Sequence, residues 1–198
     1  IYHDDYGAGK AMGQAVAGFS KKGVAYIGVT RDDKAAGAAR EDGFIAGLKN
    51  AGVTFFEENK RTSAFTLESG YESALDLLES KCDIDVISCA TDTIAAGAIE
   101  AIQTHLKKQI PTNAADAGAR MRYILENTSI RVTGFGDNQM LKAVTGGIPT
   151  IHFGYKTSGI RGAELLLDSI ERGEQIPIEM KLGFRLVGAD PSDSENLT

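Results

Sequence analysis

Seven residues of this sequence have the types and spacing to hold a polar small molecule. Asp33 and Arg40 follow one short apolar run, and Phe65 precedes the segment Glu68-Ser69-Gly70-Tyr71. Thr91 and Asp92 follow a second run, Asp137 sits within Gly136-Asp137-Asn138, and Tyr155 follows the last run. Vicinal hydroxyls donate and accept at once, so they suit bidentate pairing with a carboxylate or a guanidinium. The C–H face of a pyranose stacks on an aromatic ring, which excludes water and strengthens those bonds. Sugar recognition needs this mixture. Each residue also has a structural role open to it. Asp92 can cap the helix that starts beside it, a contribution of about 1 kcal/mol, and Asp32 or Asp33 can do the same. Arg40 can pair with Glu41 or Asp42, and Phe65 can be core. Residue types alone therefore support an α/β domain that binds a polar small molecule.

Strands and helices must bring these residues together. Residues 24–29 read as a buried strand. Ala36, Ala39, Gly43, Phe44, Gly47, Leu48 and Ala51, spaced by three and four, make residues 33–51 a helix that Gly52 ends. Residues 53–56 read as a second strand, followed by a helix carrying Tyr71, Ala74, Leu75, Leu77 and Leu78. Residues 85–90 are a third strand, with a helix over 93–108. Residues 130–135 and 149–153 are a fourth and a fifth, and a helix over 159–172 comes next. A late extended stretch covers 182–187, and the polar tail 190–198 is expected to fray. Strands about 30 residues apart with helices between them imply right-handed crossovers and a parallel sheet. In such sheets ligands sit at the carboxyl ends of the strands, where the seven residues fall.

Other chemistries find less support. Gly7-Ala8-Gly9-Lys10-Ala11-Met12-Gly13 imitates a phosphate cradle, but Asp4 stands where a P-loop needs Gly and Ala11 where it needs Ser or Thr. A glycine-rich helix start packed closely on a neighbour is the better reading. His3, His105 and His152 are far apart, and no pattern assembles a nucleophile with its base, so no catalytic residue, metal or cofactor is expected.

The net charge of −6 and the pI near 5.1 describe a surface that repels phosphate, so no nucleic acid is expected to bind this chain itself. No apolar run approaches the roughly 20 residues that cross a bilayer. The opening Ile1-Tyr2-His3-Asp4-Asp5 is neither basic nor apolar, so no signal peptide is expected. Without an initiating Met the chain reads as a fragment. Cys82 and Cys89 have neither metal nor redox spacing and read as reduced structural thiols of a cytosolic protein.

Six segments together resemble the LacI family of bacterial regulators. Asp4-Asp5-Tyr6-Gly7-Ala8-Gly9 with Ala11 is similar to the family's DNxxGG…A segment. Ile27-Gly28 followed by Arg40-Glu41-Asp42-Gly43-Phe44 resembles its IxxI…RxxGF pattern. Phe65-Thr66-Leu67-Glu68-Ser69-Gly70-Tyr71 looks like its effector loop, and Cys89 through Ala98 resembles "a-x-[NT]-D-x-x-A-x-G". Val132-Thr133-Gly134-Phe135-Gly136-Asp137-Asn138 is similar to VVGFDD, and Pro149-Thr150-Ile151 with Gly159 to the closing crossover. The runs around residues 33–40 and 89–98 look most like regulators of sucrose or trehalose use.

The resemblance implies a periplasmic-binding-protein type I fold, α/β with a Rossmann-like parallel sheet flanked by helices. Its C-terminal lobe would be complete and its N-terminal lobe truncated. Residues 1–22 would end the N-terminal lobe and make the first crossover, and 23–148 would form the C-terminal lobe. Residues 149–180 would hold the return crossover and a helix of the N-terminal lobe, and 181–198 the final strand and tail. The helices from Gly9 and Gly159 would leave their apolar faces uncovered.

By the same resemblance Arg40 would clamp hydroxyls, Phe65 would stack on a ring, Thr91 or Asp92 would bond hydroxyls, and Tyr155 would be a cleft aromatic. Asp33 joins them from the residue types. Gly136 replaces the family's first Asp, so Asp137 stands in only if its loop shifts. About fifteen extra residues, 113–128, depart from the family pattern. The implied protein is a cytoplasmic, homodimeric repressor of carbohydrate (disaccharide) genes, with a sugar effector and operator DNA bound through an absent helix-turn-helix. An extracytoplasmic sugar-binding protein of an ABC transporter is the alternative.

Overall fold

The computed structural model describes residues 1–80, 82–106, 118–119, 129–173 and 177–189. Residues 113–128 (apart from 118 and 119) and the tail 190–198, on which two sequence expectations fall, lie outside the described residues.

Four parallel strands form the central sheet in the order β3-β2-β4-β5, with β2 at Val24–Gly28, β3 at Lys60–Thr62, β4 at Val86–Cys89 and β5 at Arg131–Thr133. Every residue of β2 and β4 is buried. Central strands of a parallel sheet are covered on both faces, which is why these two read as unbroken apolar runs. The second expected strand is displaced. Residues 53–56 join no ladder. Val53 and Phe55 lean on the core, while Thr54 and Phe56 face out. A 3₁₀ turn, Glu57–Asn59, follows, and only then does Lys60-Arg61-Thr62 pair with Tyr26-Ile27-Gly28. An edge strand needs no apolar faces and gains protection from charge, so hydropathy could not reveal it.

Helix α1 (Asp5–Phe19) lies along α2 (Arg40–Asn50), and α3 (Leu67–Glu79) lies along α4 (Asp92–Leu106). Glycines set the first contact. A methyl group on Gly13 would come 2.2 Å from the Phe44 carbonyl oxygen, and one on Gly43 2.1 Å from that of Tyr6. Only hydrogen fits there. Ala8, Met12 and Val16 are therefore fully buried, which makes Gly7–Gly13 a closely packed helix start. The apolar face of α1, expected to lie uncovered, is covered by α2 within this chain. A π-helical segment, Lys34–Ala39, leads into α2, which ends ahead of Gly52 at φ +80°, the left-handed position that closes helices.

Two small sheets flank this unit. β1 (Tyr2–His3) pairs in parallel with β7 (Lys181–Leu182). β6 (Thr150–Phe153) pairs antiparallel with β8 (Phe184–Val187) rather than extending a wholly parallel series. The amides of Gly134 and Gly136 donate to the carbonyls of Pro149 and Ile151, both at 2.9 Å, which ties β6 beside the end of β5. Short α5 (Gln139–Thr145) precedes β6. Helix α6 (Tyr155–Arg172) starts four residues earlier than the sequence suggests and contains no buried residue. Leu166, Leu167 and Ile170 are each at least 60% exposed. None of the described helices is long and apolar enough to cross a membrane.

Candidate functional site

The start of α1, the carboxyl ends of β4 and β5 and the end of β6 converge on the Arg40 guanidinium. Its Nε–H donates to Asp5 Oδ1 at 2.7 Å and a terminal N–H to the Ala90 carbonyl at 2.8 Å. The guanidinium carbon lies 5.1 Å from the Phe135 ring centroid and 5.3 Å from that of Phe153, a geometry in which ring quadrupoles attract the cation. Only 12% of either the Arg40 or the Asp5 side chain is exposed. Four chain segments thus hold one cation in a fixed pose, which lowers the entropic cost of binding a ligand. Arg40 does not pair with its neighbours Glu41 and Asp42. Those carboxylates are taken by Arg31, with 2.7 Å to Glu41 and 2.9 Å to Asp42.

Asp92 has a different job from helix capping. Thr91 caps α4, its hydroxyl accepting from the Ile94 amide at 3.2 Å. The Asp92 carboxylate, nearly buried, accepts from the Asn138 amide at 2.6 Å and from the Thr150 hydroxyl at 2.8 Å. It staples the β5–α5 loop and β6 to the start of α4. A methyl group at Gly134 would lie 2.1 Å from Asp92 Oδ1, so the carboxylate occupies the space a side chain would take. Burial foremost pushes the Asp92 carboxyl above its ordinary pKa, with Asp137 adding to the rise, while Asn138, Thr150 and Arg40 oppose it.

Asp137 holds a left-handed backbone, φ 51°, and its carboxylate meets His152 Nδ1 at 2.8 Å. The strained turn aims the side chain at β6, next to the Asp92 staple. Tyr155, half exposed at the start of α6, feels Arg40, Asp5 and Asp92; burial, the largest influence, raises its phenol pKa. His3 packs on the same aromatics, 4.9 Å from Phe153 and 5.3 Å from Tyr155. Arg40, Asp92, Asp137 and Tyr155 therefore form one cluster.

The other three expected residues differ. Phe65 follows β3 with half its surface exposed, so it is not core. Asp33 caps the π-helical segment, accepting from the amides of Ala35 and Ala36 at 2.9 and 2.8 Å, and Thr91 is engaged as the α4 cap. Three residues escaped notice in the sequence: Asp5, Phe135 and Phe153, which position Arg40. Each lay within a quoted motif or apolar run, but nothing local indicates that a ring will face a cation. Neither cysteine forms a disulfide, and burial drives the Cys89 thiol pKa upward.

A parallel α/β unit with a polar and aromatic cluster at its carboxyl strand ends is the architecture of a ligand-binding lobe. The chain belongs to the periplasmic binding protein domain family, which matches residues 2–145. It is 26% identical over 187 residues to the sucrose operon repressor of Staphylococcus xylosus, covering 93% of this chain and 52% of that protein. Among solved structures it resembles the transcriptional regulator CelR–cellobiose complex (TM-score 0.77, 21% identity, 94% of this chain and 51% of that one). It also resembles a LacI family transcriptional regulator from Enterococcus faecium with bound ribose (TM-score 0.73, 20% identity, 94% and 62%). These comparisons bear out the LacI-type resemblance of the motifs. The chain spans about half the length of the repressor it matches.

Proposed function

We propose that this chain is the sugar-binding part of a LacI-type transcription regulator, a repressor of carbohydrate genes whose effector is a disaccharide. The observation that carries this reading is the Arg40 guanidinium, held by Asp5, the Ala90 carbonyl and two aromatic rings at the carboxyl ends of the strands. The matched relatives are regulators, which favours this reading over a transport protein. Arg40 bonds ligand hydroxyls, Phe65 and Tyr155 offer rings for stacking, and Asp92, Thr91, Asp137 and Asp33 line or brace the site.

Residues 23–148 act as one lobe, with 1–22 and 149–180 as crossovers to a second lobe and 181–198 as the closing strand and tail. In the whole protein, a cytoplasmic homodimer, operator DNA is bound through a helix-turn-helix outside this chain. The ligand must bind one lobe arrangement better than the other for any switching to follow.

Calorimetry against sucrose, trehalose, maltose and cellobiose tests the binding step. Arg40→Ala should weaken the best ligand by at least about tenfold, since bonds to a charged donor contribute roughly 1.5–3 kcal/mol. Phe65→Ala should weaken it less. Unchanged binding in both variants would refute the site.

A further inference from the structure

The cluster around Arg40 also carries information about charge. Asp5 contacts the guanidinium directly. Tyr155 feels Arg40, Asp5 and Asp92 together, and Asp92 feels Asp137 and Arg40. Two carboxylates, Asp5 and Asp92, thus act on one guanidinium, and Asp137, paired with His152, adjoins Asp92 through Thr150. Each carboxylate is anchored. Asp5 is held by Arg40, Asp92 by the Asn138 amide and the Thr150 hydroxyl, and Asp137 by His152.

Other cations near the strand ends offer little relief. Arg31 is committed to Glu41 and Asp42. Lys34, Lys156 and Arg185, the last opposite His152 in the β6–β8 ladder, are exposed, where water and salt screen them.

We infer that this cluster takes an uncharged polyol and rejects phosphorylated or carboxylated sugars, because Asp5 already neutralises Arg40 and Asp92 and Asp137 leave the surroundings negative. The inference rests on the sugar-binding reading and narrows it to neutral ligands. A hydroxyl can donate to Asp92 or Asp137 and accept from Arg40. A phosphoryl group at neutral pH offers almost only acceptors, and its charge would meet Asp5 at the guanidinium it binds and Asp92 and Asp137 beside it. Each like charge at contact distance weakens binding roughly fivefold even in water-like surroundings, and more where water is excluded.

The test is calorimetry of this chain with sucrose, trehalose and cellobiose, each beside its 6-phosphate, and with inorganic phosphate. For at least one sugar the neutral form should bind at least about tenfold more tightly than its phosphate, and the gap should shrink as salt screens the repulsion. Asp5→Asn should narrow the gap by admitting phosphate to Arg40. The ¹⁵Nε–H resonance of Arg40 should then move on phosphate addition in the variant and stay fixed in the parent chain.

Equal or tighter binding of the phosphorylated form by the parent chain would overturn the inference and leave the sugar reading intact. A folded chain, judged by a cooperative melt, that binds no sugar in either form would overturn the sugar reading and the inference with it. If Asp5→Asn does not fold, the neutral-against-phosphate comparison in the parent chain still decides the matter.

Discussion

Helices α1 and α6 make an instructive pair. Both follow a short strand, both contain glycines and both carry an apolar stripe, yet their fates are opposite. Helix α1 buries Ala8, Met12 and Val16 completely, packed along α2 and within the common core. Helix α6 buries nothing: Leu166, Leu167 and Ile170 face outward, and Leu166 shares an open groove with Ile1 and Ile178. An apolar stripe records that a helix has a face to bury, not which surface buries it. The surface that covers α1 is supplied by α2, whose glycines let the two backbones meet.

The comparison is sharpest at the glycines. Gly13→Leu should destabilise the chain by about 3 kcal/mol or more, or prevent folding, because its Cβ meets helix backbone that cannot give way. Gly159→Ala on α6 meets nothing within 4 Å and should be stabilising by up to about 1 kcal/mol, through helix propensity alone. Urea unfolding midpoints check both. Similar losses from the two would break the contrast.

Apolar truncation gives the next largest difference. Met12→Ala removes a fully buried side chain and should cost about 2–5 kcal/mol. Leu167→Ala removes one that is 60% exposed and should stay within about 0.5 kcal/mol. A thermal melt separates the two without ambiguity.

Charge gives the smallest effect, and it depends on pH. Burial raises the Asp92 carboxyl above its ordinary value of 3.8, so the folded protein holds that proton more tightly than the unfolded chain does. This contribution to stability is fully present below the ordinary carboxylate range and is lost as pH rises through the raised value. Asp92→Asn cannot ionise. The stability difference between variant and parent should therefore move in the variant's favour as pH rises above the ordinary carboxylate value. Asp168→Asn on α6 breaks only an exposed pair with Arg172 and should change stability by less than about 0.5 kcal/mol. A flat Asp92 profile would mean that its carboxylate is far better solvated than its burial implies.

Much of the central unit was legible in the chain. β2 and β4 announced themselves because a strand buried on both faces is apolar throughout, and Gly52 marked the end of α2 because a left-handed residue favours glycine. β3 is hidden, and residues 53–56 imitate a strand in its place, because an edge strand is charged and the apolar stretch before it merely leans on the core. The site was legible in part. Arg40, Asp92, Asp137 and Tyr155 were named from residue type and from their places after strands, and the fold brings them together. Asp33 and Thr91 were named too, but the fold uses them as helix caps.

The sequence by itself determined a parallel α/β unit, its acidic surface and the residue types at the strand ends, since periodicity, composition and chain order depend only on neighbours. Tertiary structure alone decided which carboxylate meets Arg40, that Thr91 rather than Asp92 caps α4, and that α1 is covered while α6 is not. Asp5 lies 35 residues from Arg40, and Thr150 lies 58 from Asp92. Contacts across such separations are set by how helices and strands pack, which no local pattern encodes.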